Sequence, residues 1–261
     1  MVDGGFVVTW SSRYQDGSEY GIYGQRFNAD GTPATISKLL GSSVADHLTI
    51  TGIEDYTVLD LGEDYDSVSL AGTANNTFFV SNTEVVRAGG GDDVVMIRDD
   101  LATALYGEAG NDILYGNAAD NRVDGGSGRD QLFGGLGEDT LFGGDGTDHV
   151  SGGSGDDQIS GDGGTDTLTG GAGDDTIAGG LGDDVIDGGA DTDIATYSGK
   201  MADYKVEIGL QGIDKVIDLK AEDGDDGTDR LSAVETCLLY TSDAADEGLG
   251  VDLGGRRSIK K

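Results

Sequence analysis

Proline and cysteine each occur once in 261 residues, lysine and arginine together only 16 times, and histidine twice. Each scarcity excludes something. A lone cysteine, Cys237, can close no internal disulfide. The near absence of proline argues against an extended, disordered linker. Too few basic residues remain for a phosphate-binding patch, so nucleic acid is not expected as a partner. No apolar run reaches the length of a membrane span. His47 and His149 lie 102 residues apart, so no His-Glu-x-x-His metalloprotease motif exists. Neither Ser127 nor Ser154 has the flanking glycines of a hydrolase nucleophile elbow, and no histidine follows Ser154. Catalysis by this chain is therefore not expected.

What is present is glycine, 48 residues, and acid, 50 aspartates and glutamates for a formal charge of −34. A chain with that charge repels itself and either stays expanded or takes up cations. The opening Met1-Val2-Asp3-Gly4-Gly5-Phe6 has neither the basic nor the apolar region of a secretory signal. Asp3-Gly4-Gly5 looks like the middle of a repeat, which places the expected N-terminus further upstream.

Short β-segments come first. Residues 1–36 read as a hairpin, with Phe6-Val7-Val8-Thr9-Trp10 and the run Tyr20 to Phe27 on either side of a polar turn. This stretch resembles a β-hairpin repeat of large bacterial surface proteins. Residues 37–87 alternate with a β-like period and are expected to stack as degenerate coils, an N-terminal cap.

From Ala88 the sequence falls into a nine-residue register. From Gly125 it reads GGSGRDQLF, GGLGEDTLF, GGDGTDHVS, GGSGDDQIS, GDGGTDTLT, GGAGDDTIA, GGLGDDVID and GGADTDIAT. Upstream, AGGGDDVVM (88–96) and GEAGNDILY (107–115) fit, and GNAADNRVD (116–124) is degenerate. Glycines permit turn dihedrals that a Cβ forbids and let carbonyl oxygens converge. The aspartate at the sixth position adds a carboxylate to those oxygens, a donor set suited to hard Ca²⁺. The aliphatic residue at the eighth position points inward from a very short strand. An isolated Gly-Asp pair reads as a solvated turn. Here ten aspartates hold one phase, namely Asp93, Asp112, Asp130, Asp139, Asp148, Asp157, Asp166, Asp175, Asp184 and Asp193. Each is followed two residues later by an aliphatic side chain.

This pattern resembles the RTX family, the hemolysin-type calcium-binding repeat proteins. The resemblance implies an all-β fold over 88–196, a right-handed parallel β-roll with Ca²⁺ in its turns and short antiparallel segments at its flanks. Two nonapeptides then make one turn, so loops eighteen residues apart share an ion. One edge would carry Asp112, Asp130, Asp148, Asp166 and Asp184, joined by Asp93 across a one-residue insertion; the other Asp139, Asp157, Asp175 and Asp193, with Asn121 as its weak start. Asp191 and Ala119 replace turn glycines, and weakened sites are expected there. Aspartates at position five (Asp92, Asp156, Asp174, Asp183) are expected to face solvent and add general negative field.

Two energies bear on how such a roll would fold. One buried aliphatic side chain contributes about 1.5–3 kcal/mol, while ordering nine residues costs about 1.5 kcal/mol apiece. Carboxylates stacked about 4–5 Å apart repel by about 3–4 kcal/mol per pair at an effective dielectric near 20. Metal must tip the balance.

Residues 197–236 resemble the segment that caps RTX blocks, in which a hydrophobic strand follows a glutamate. Here that strand is expected to be missing after Glu235. Asp223-Gly224-Asp225-Asp226-Gly227 lacks the terminal glutamate of an EF-hand loop. Residues 237–261 resemble the translation of a transposon-type sequencing-library adapter and are expected to contribute nothing to fold or ion binding. The expected function is a calcium-binding RTX module of a secreted or cell-surface bacterial protein that folds on Ca²⁺ after export. A type I secretion apparatus is the expected partner besides the ions. The alternative is the calcium-binding tail of a secreted hydrolase or carbohydrate-modifying enzyme. A glycan-binding module would want an exposed aromatic stripe, and Phe133 with Phe142 is too little for one.

Overall fold

The computed structural model describes residues 6–12, 21–27, 38–42, 47–50, 57–62, 65–198, 203–207, 213–219, 227–240 and 249–252. The polar turn at 13–20, the acidic stretch 221–226 and the end of the tail at 253–261 lie outside the described residues. Strands Phe6–Ser12 and Gly21–Phe27 pair antiparallel in a sheet of their own.

From Lys38 onward the chain winds between two sheets. Among the described residues these have twelve and eleven strands. Each nonapeptide supplies one strand, and successive strands go to opposite sheets. Ile113–Tyr115, Gln131–Leu136, His149–Ser154, Thr167–Ala172 and Val185–Ala190 lie side by side in the first sheet. Arg122–Gly128, Thr140–Gly146, Gln158–Gly164, Thr176–Ala178 and Ile194–Ser198 lie in the second. All these pairs are parallel, with partners eighteen residues apart, as in Leu132↔Val150 and Leu141↔Ile159. Upstream the spacing changes by one residue, as in Leu114↔Val95. The architecture is a parallel β-roll.

The eighth residue of each repeat faces inward because side chains alternate along a strand and the turns fix the phase. Leu114, Val123, Leu132, Leu141, Val150, Ile159, Leu168, Ile177 and Ile186 form a buried file between the sheets. Leu105, which the nine-residue register skips, joins it in strand Ala104–Ala109. Thr57–Gly62, Ser67–Leu70, Thr77–Ser81 and Val85–Arg87 continue the two sheets upstream.

The C-terminal expectation needs correction. A strand does follow Glu235: Thr236–Tyr240 pairs parallel with Ile194–Ser198, and Cys237 lies opposite Ala195, fully buried. The end of a parallel roll presents unpaired N–H and C=O groups. Backbone pairing there needs only a strand with an apolar residue in the inward phase, and Cys237 supplies it. The adapter resemblance concerns where residues 237–261 come from. The pairing concerns how their first residues are placed, and it leaves them inside the fold. Thr228–Ser232 likewise extends the first sheet beside Val185–Ala190 and carries the hairpin Ile213–Asp218 and Tyr204–Glu207.

Candidate metal sites along the two edges of the roll

The sixth-position aspartates line up as two ladders where the chain crosses between sheets. On one edge the Asp93 N–H donates to Asp112 Oδ1, Asp112 to Asp130, Asp130 to Asp148, Asp148 to Asp166 and Asp166 to Asp184, at 2.7–2.8 Å. On the other, Asn121 donates to Asp139, Asp139 to Asp157, Asp157 to Asp175 and Asp175 to Asp193, at 2.7–2.9 Å. All ten predicted aspartates are buried, and the structure brings each beside its neighbour one coil away.

Only one oxygen of each carboxylate is used in this way. Oδ2 of Asp93, Asp112, Asp130, Asp139, Asp148, Asp157, Asp166, Asp175 and Asp193 is buried and accepts no hydrogen bond. A buried carboxylate oxygen without a partner costs several kcal/mol, so a row of them demands a cation or a proton.

The first glycine of each repeat shows where a cation fits. Its φ is not left-handed, so turn geometry does not explain it. It occupies an inward place, two residues after the core aliphatic. A Cβ on Gly152 would stand within 3.0 Å of both Asp157 Oδ2 and the Gly170 carbonyl oxygen. The same pair, a carboxylate oxygen from the repeat and a carbonyl from the coil above, crowds the corresponding point at Gly107, Gly125, Gly134, Gly143, Gly161 and Gly170. Glycine keeps open a small cradle on which oxygens converge. Among the described residues, no three aspartate, glutamate, histidine or cysteine side chains gather at one point. A cation here would rest on carbonyls with carboxylate support, which suits Ca²⁺ and excludes a zinc-type site. Glycines at the second and fourth positions serve the turn itself, since Gly153 and Gly155 have φ of 116° and 124°, which a Cβ opposes.

Burial pushes these carboxyl groups up from their ordinary value near 4. Asp93, Asp112, Asp139 and Asp157 rise to about 6, and Asp130, Asp166 and Asp175 to about 7. Hydrogen bonds from the preceding coil pull the other way but do not prevail. Asp92, next to Asp93 in sequence, shows the opposite shift: the Asn111 backbone N–H holds its carboxyl below the usual range.

That contrast adds to the expectation for position five. Those side chains are exposed, yet they form an outer ladder. Asp92 Oδ1 accepts the Asn111 N–H, Asp120 that of Glu138, Asp156 that of Asp174, Asp174 that of Thr192 and Asp183 that of Thr228, each at 2.8–2.9 Å. They satisfy turn N–H groups that would otherwise face only water. Asp191 adopts a left-handed φ of 82°, so that loop keeps the turn at the cost of strain. At the degenerate loop, Asn117 ties the turn instead, accepting the Ala119 N–H and donating to the carbonyls of Asp99 and Leu101.

Two ladder members were not anticipated. Asp229 Oδ1 accepts the Asp184 N–H at 2.9 Å across 45 residues, and Glu235 Oε2 accepts that of Asp193 at 2.8 Å across 42. A signal for the first was present: Gly224 to Ser232 reads GDDGTDRLS, which fits the nonapeptide register and not an EF-hand. Upstream, Asn76 caps the first ladder by donating its N–H and Nδ2 to Asp93 Oδ1.

Parallel coils of nine-residue repeats, with glycine cradles under buried carboxylates, define a cation-binding β-roll. Comparison with known families agrees: residues 102–132, 124–159, 133–168 and 160–195 each match the RTX calcium-binding nonapeptide repeat. The span 102–195 is therefore an array of RTX repeats, and such repeats bind Ca²⁺. No curated protein matches the chain.

Proposed function

We propose that this chain is a calcium-loaded RTX module of a secreted or cell-surface protein, disordered at low calcium and folded outside the cell. The ion-binding unit is 88–196, with 37–87 and 197–236 as its caps. The ten sixth-position aspartates, from Asp93 to Asp193, hold Ca²⁺ together with carbonyl oxygens of the turns. The observation that carries this reading is the row of buried Oδ2 atoms without hydrogen bonds, which from Asp112 to Asp175, and again at Asp193, face cradles kept open by glycine. Without ions these stacked charges oppose folding; with ions they drive it. Extracellular calcium modules bind with Kd of about 10⁻⁴–10⁻³ M, so the chain stays unfolded at cytosolic calcium. It can then pass a type I secretion apparatus and fold on the far side.

Circular dichroism of the chain in chelator and in millimolar Ca²⁺ tests this. A large gain of β-signal on adding calcium is expected. An unchanged, fully folded spectrum in chelator would refute the reading.

A further inference from the structure

After Ser198 the roll is interrupted, and the chain returns to it at Gly227. The returning coil lies beyond the span that matches the RTX repeat. On the edge that ends at Asp193 it contains no nonapeptide at all: Ser232 is followed directly by Ala233-Val234-Glu235. The geometry there is nevertheless that of the repeats. Gly188 stands in the first-position place, and a Cβ on it would lie within 3.0 Å of Asp193 Oδ2 and of the Ala233 carbonyl oxygen. In the repeats that carbonyl comes from a first-position glycine one coil on. Ala233 delivers it by taking a left-handed φ of 50°. Asp193 is fully buried and its Oδ2 has no hydrogen-bond partner, so it points at this cradle unsatisfied. Glu235 occupies the place of the next ladder aspartate, accepting the Asp193 N–H, while the Glu235 and Thr236 N–H groups both donate to the Asp193 carbonyl at 3.1 Å.

We infer that Asp193 and the Ala233 carbonyl form a terminal Ca²⁺ site of non-repeat origin, with Glu235 as its positioning residue, and that the ion there clamps the returning coil onto the roll. The site rests on the calcium reading proposed above. It takes one hard divalent cation, because its donors are a carboxylate oxygen and a carbonyl oxygen. Its consequence is a latch. Residues 227–237 are bonded to the roll across more than forty positions, and closing so long a loop is entropically costly. The ion offsets that cost only once the roll beneath has formed.

The test compares the full chain with Asp193→Asn, Glu235→Ala and Glu235→Gln, using calcium stoichiometry by native mass spectrometry and hydrogen exchange over residues 228–237. Asp193→Asn and Glu235→Ala each bind one ion fewer than the parent chain. Glu235→Gln, which keeps an acceptor for the Asp193 N–H, binds the full number. Calcium slows exchange in 228–237 of the parent and of Glu235→Gln, but not of Glu235→Ala. A full complement of ions in Asp193→Asn or Glu235→Ala overturns the terminal site and leaves the calcium roll standing. So does a loss of several ions in Glu235→Ala, which would make Glu235 a general support. A parent chain that binds no calcium overturns the proposed function as well.

Discussion

Residues 57–97 and residues 107–196 follow the same winding but fill its interior differently. In the upstream coils four strands each bury two apolar side chains, Leu59 with Leu61, Val68 with Leu70, Phe78 with Val80 and Val95 with Ile97, while Val85–Arg87 buries Val86 alone. In the repeats the second inward place is glycine, as in Val123 with Gly125 or Val150 with Gly152. Each such exchange removes one aliphatic contribution of about 1.5–3 kcal/mol. The space gained goes to a carboxylate oxygen and a carbonyl. Upstream coils are thus held by an ordinary apolar core, and the repeats by whatever neutralises their acids. Ala88 lies at the boundary: it is the first-position residue before Asp93, and it is buried. Its methyl stands where the repeats keep a cradle open.

The sharpest way to break this comparison is Gly152→Ala. In an ordinary strand alanine in place of glycine stabilises by about 0.5–1 kcal/mol. Here the new Cβ would collide with Asp157 Oδ2 and the Gly170 carbonyl, and overpacking of that kind costs about 1–3 kcal/mol. The calcium midpoint, followed by circular dichroism, should move to markedly higher concentration. A stabilised variant would show that the first glycine serves only the strand.

Next in size is a pair of charge deletions. Asp157→Ala removes an oxygen from a full cradle and leaves the Asp139 N–H without its acceptor, for which about 1–3 kcal/mol is expected besides the lost ion. Asp93→Ala, beside Ala88, should shift the calcium midpoint less. Equal shifts in titrations of the two variants would erase the boundary drawn here.

Acid should mimic calcium, and more in the repeats than upstream. Burial raises Asp157 from near 4 to about 6 in the fold, and Asp130 and Asp166 to about 7. A group raised in this way favours folding below its unfolded value, and that contribution disappears as pH climbs through the folded one. In chelator, β-signal should therefore increase as pH is lowered from 8 towards 4. With calcium present, the midpoint should worsen below about pH 6–7 as protons compete for the same oxygens. Calcium titrations across that range measure both, and a pH-independent midpoint would mean the carboxylates do not bind the ion.

The smallest expected effect is a gain. Asp191 holds φ at 82°, so Asp191→Gly should relieve about 0.5–1 kcal/mol of strain and raise the thermal midpoint by a few degrees. A fall would show that its carboxylate contributes to the last loop.

Much of this was legible from the nine-residue period. Position six identified every ladder aspartate from Asp93 to Asp193, and the eighteen-residue relation, lengthened by one residue between Asp93 and Asp112, assigned each to its edge, because both are properties of neighbouring repeats. Leu105 was missed because the insertion before it breaks the register. The outer ladder of Asp92, Asp120, Asp156, Asp174 and Asp183 was missed for another reason. An exposed aspartate looks alike in sequence whether or not it holds an N–H of the next coil.

By itself the sequence determined the repeat, the burial of one aliphatic residue per coil and the two rows of acid, since local spacing sets which way each side chain points. Only the tertiary structure decided which carboxylate oxygen is left unsatisfied, and why the first glycine is glycine. It alone placed Asp229, Ala233 and Glu235, after a long interruption, at the ends of the same ladders. Those facts depend on oxygens from coils eighteen to forty-five residues away. No local pattern contains the distance between atoms that only stacking brings together.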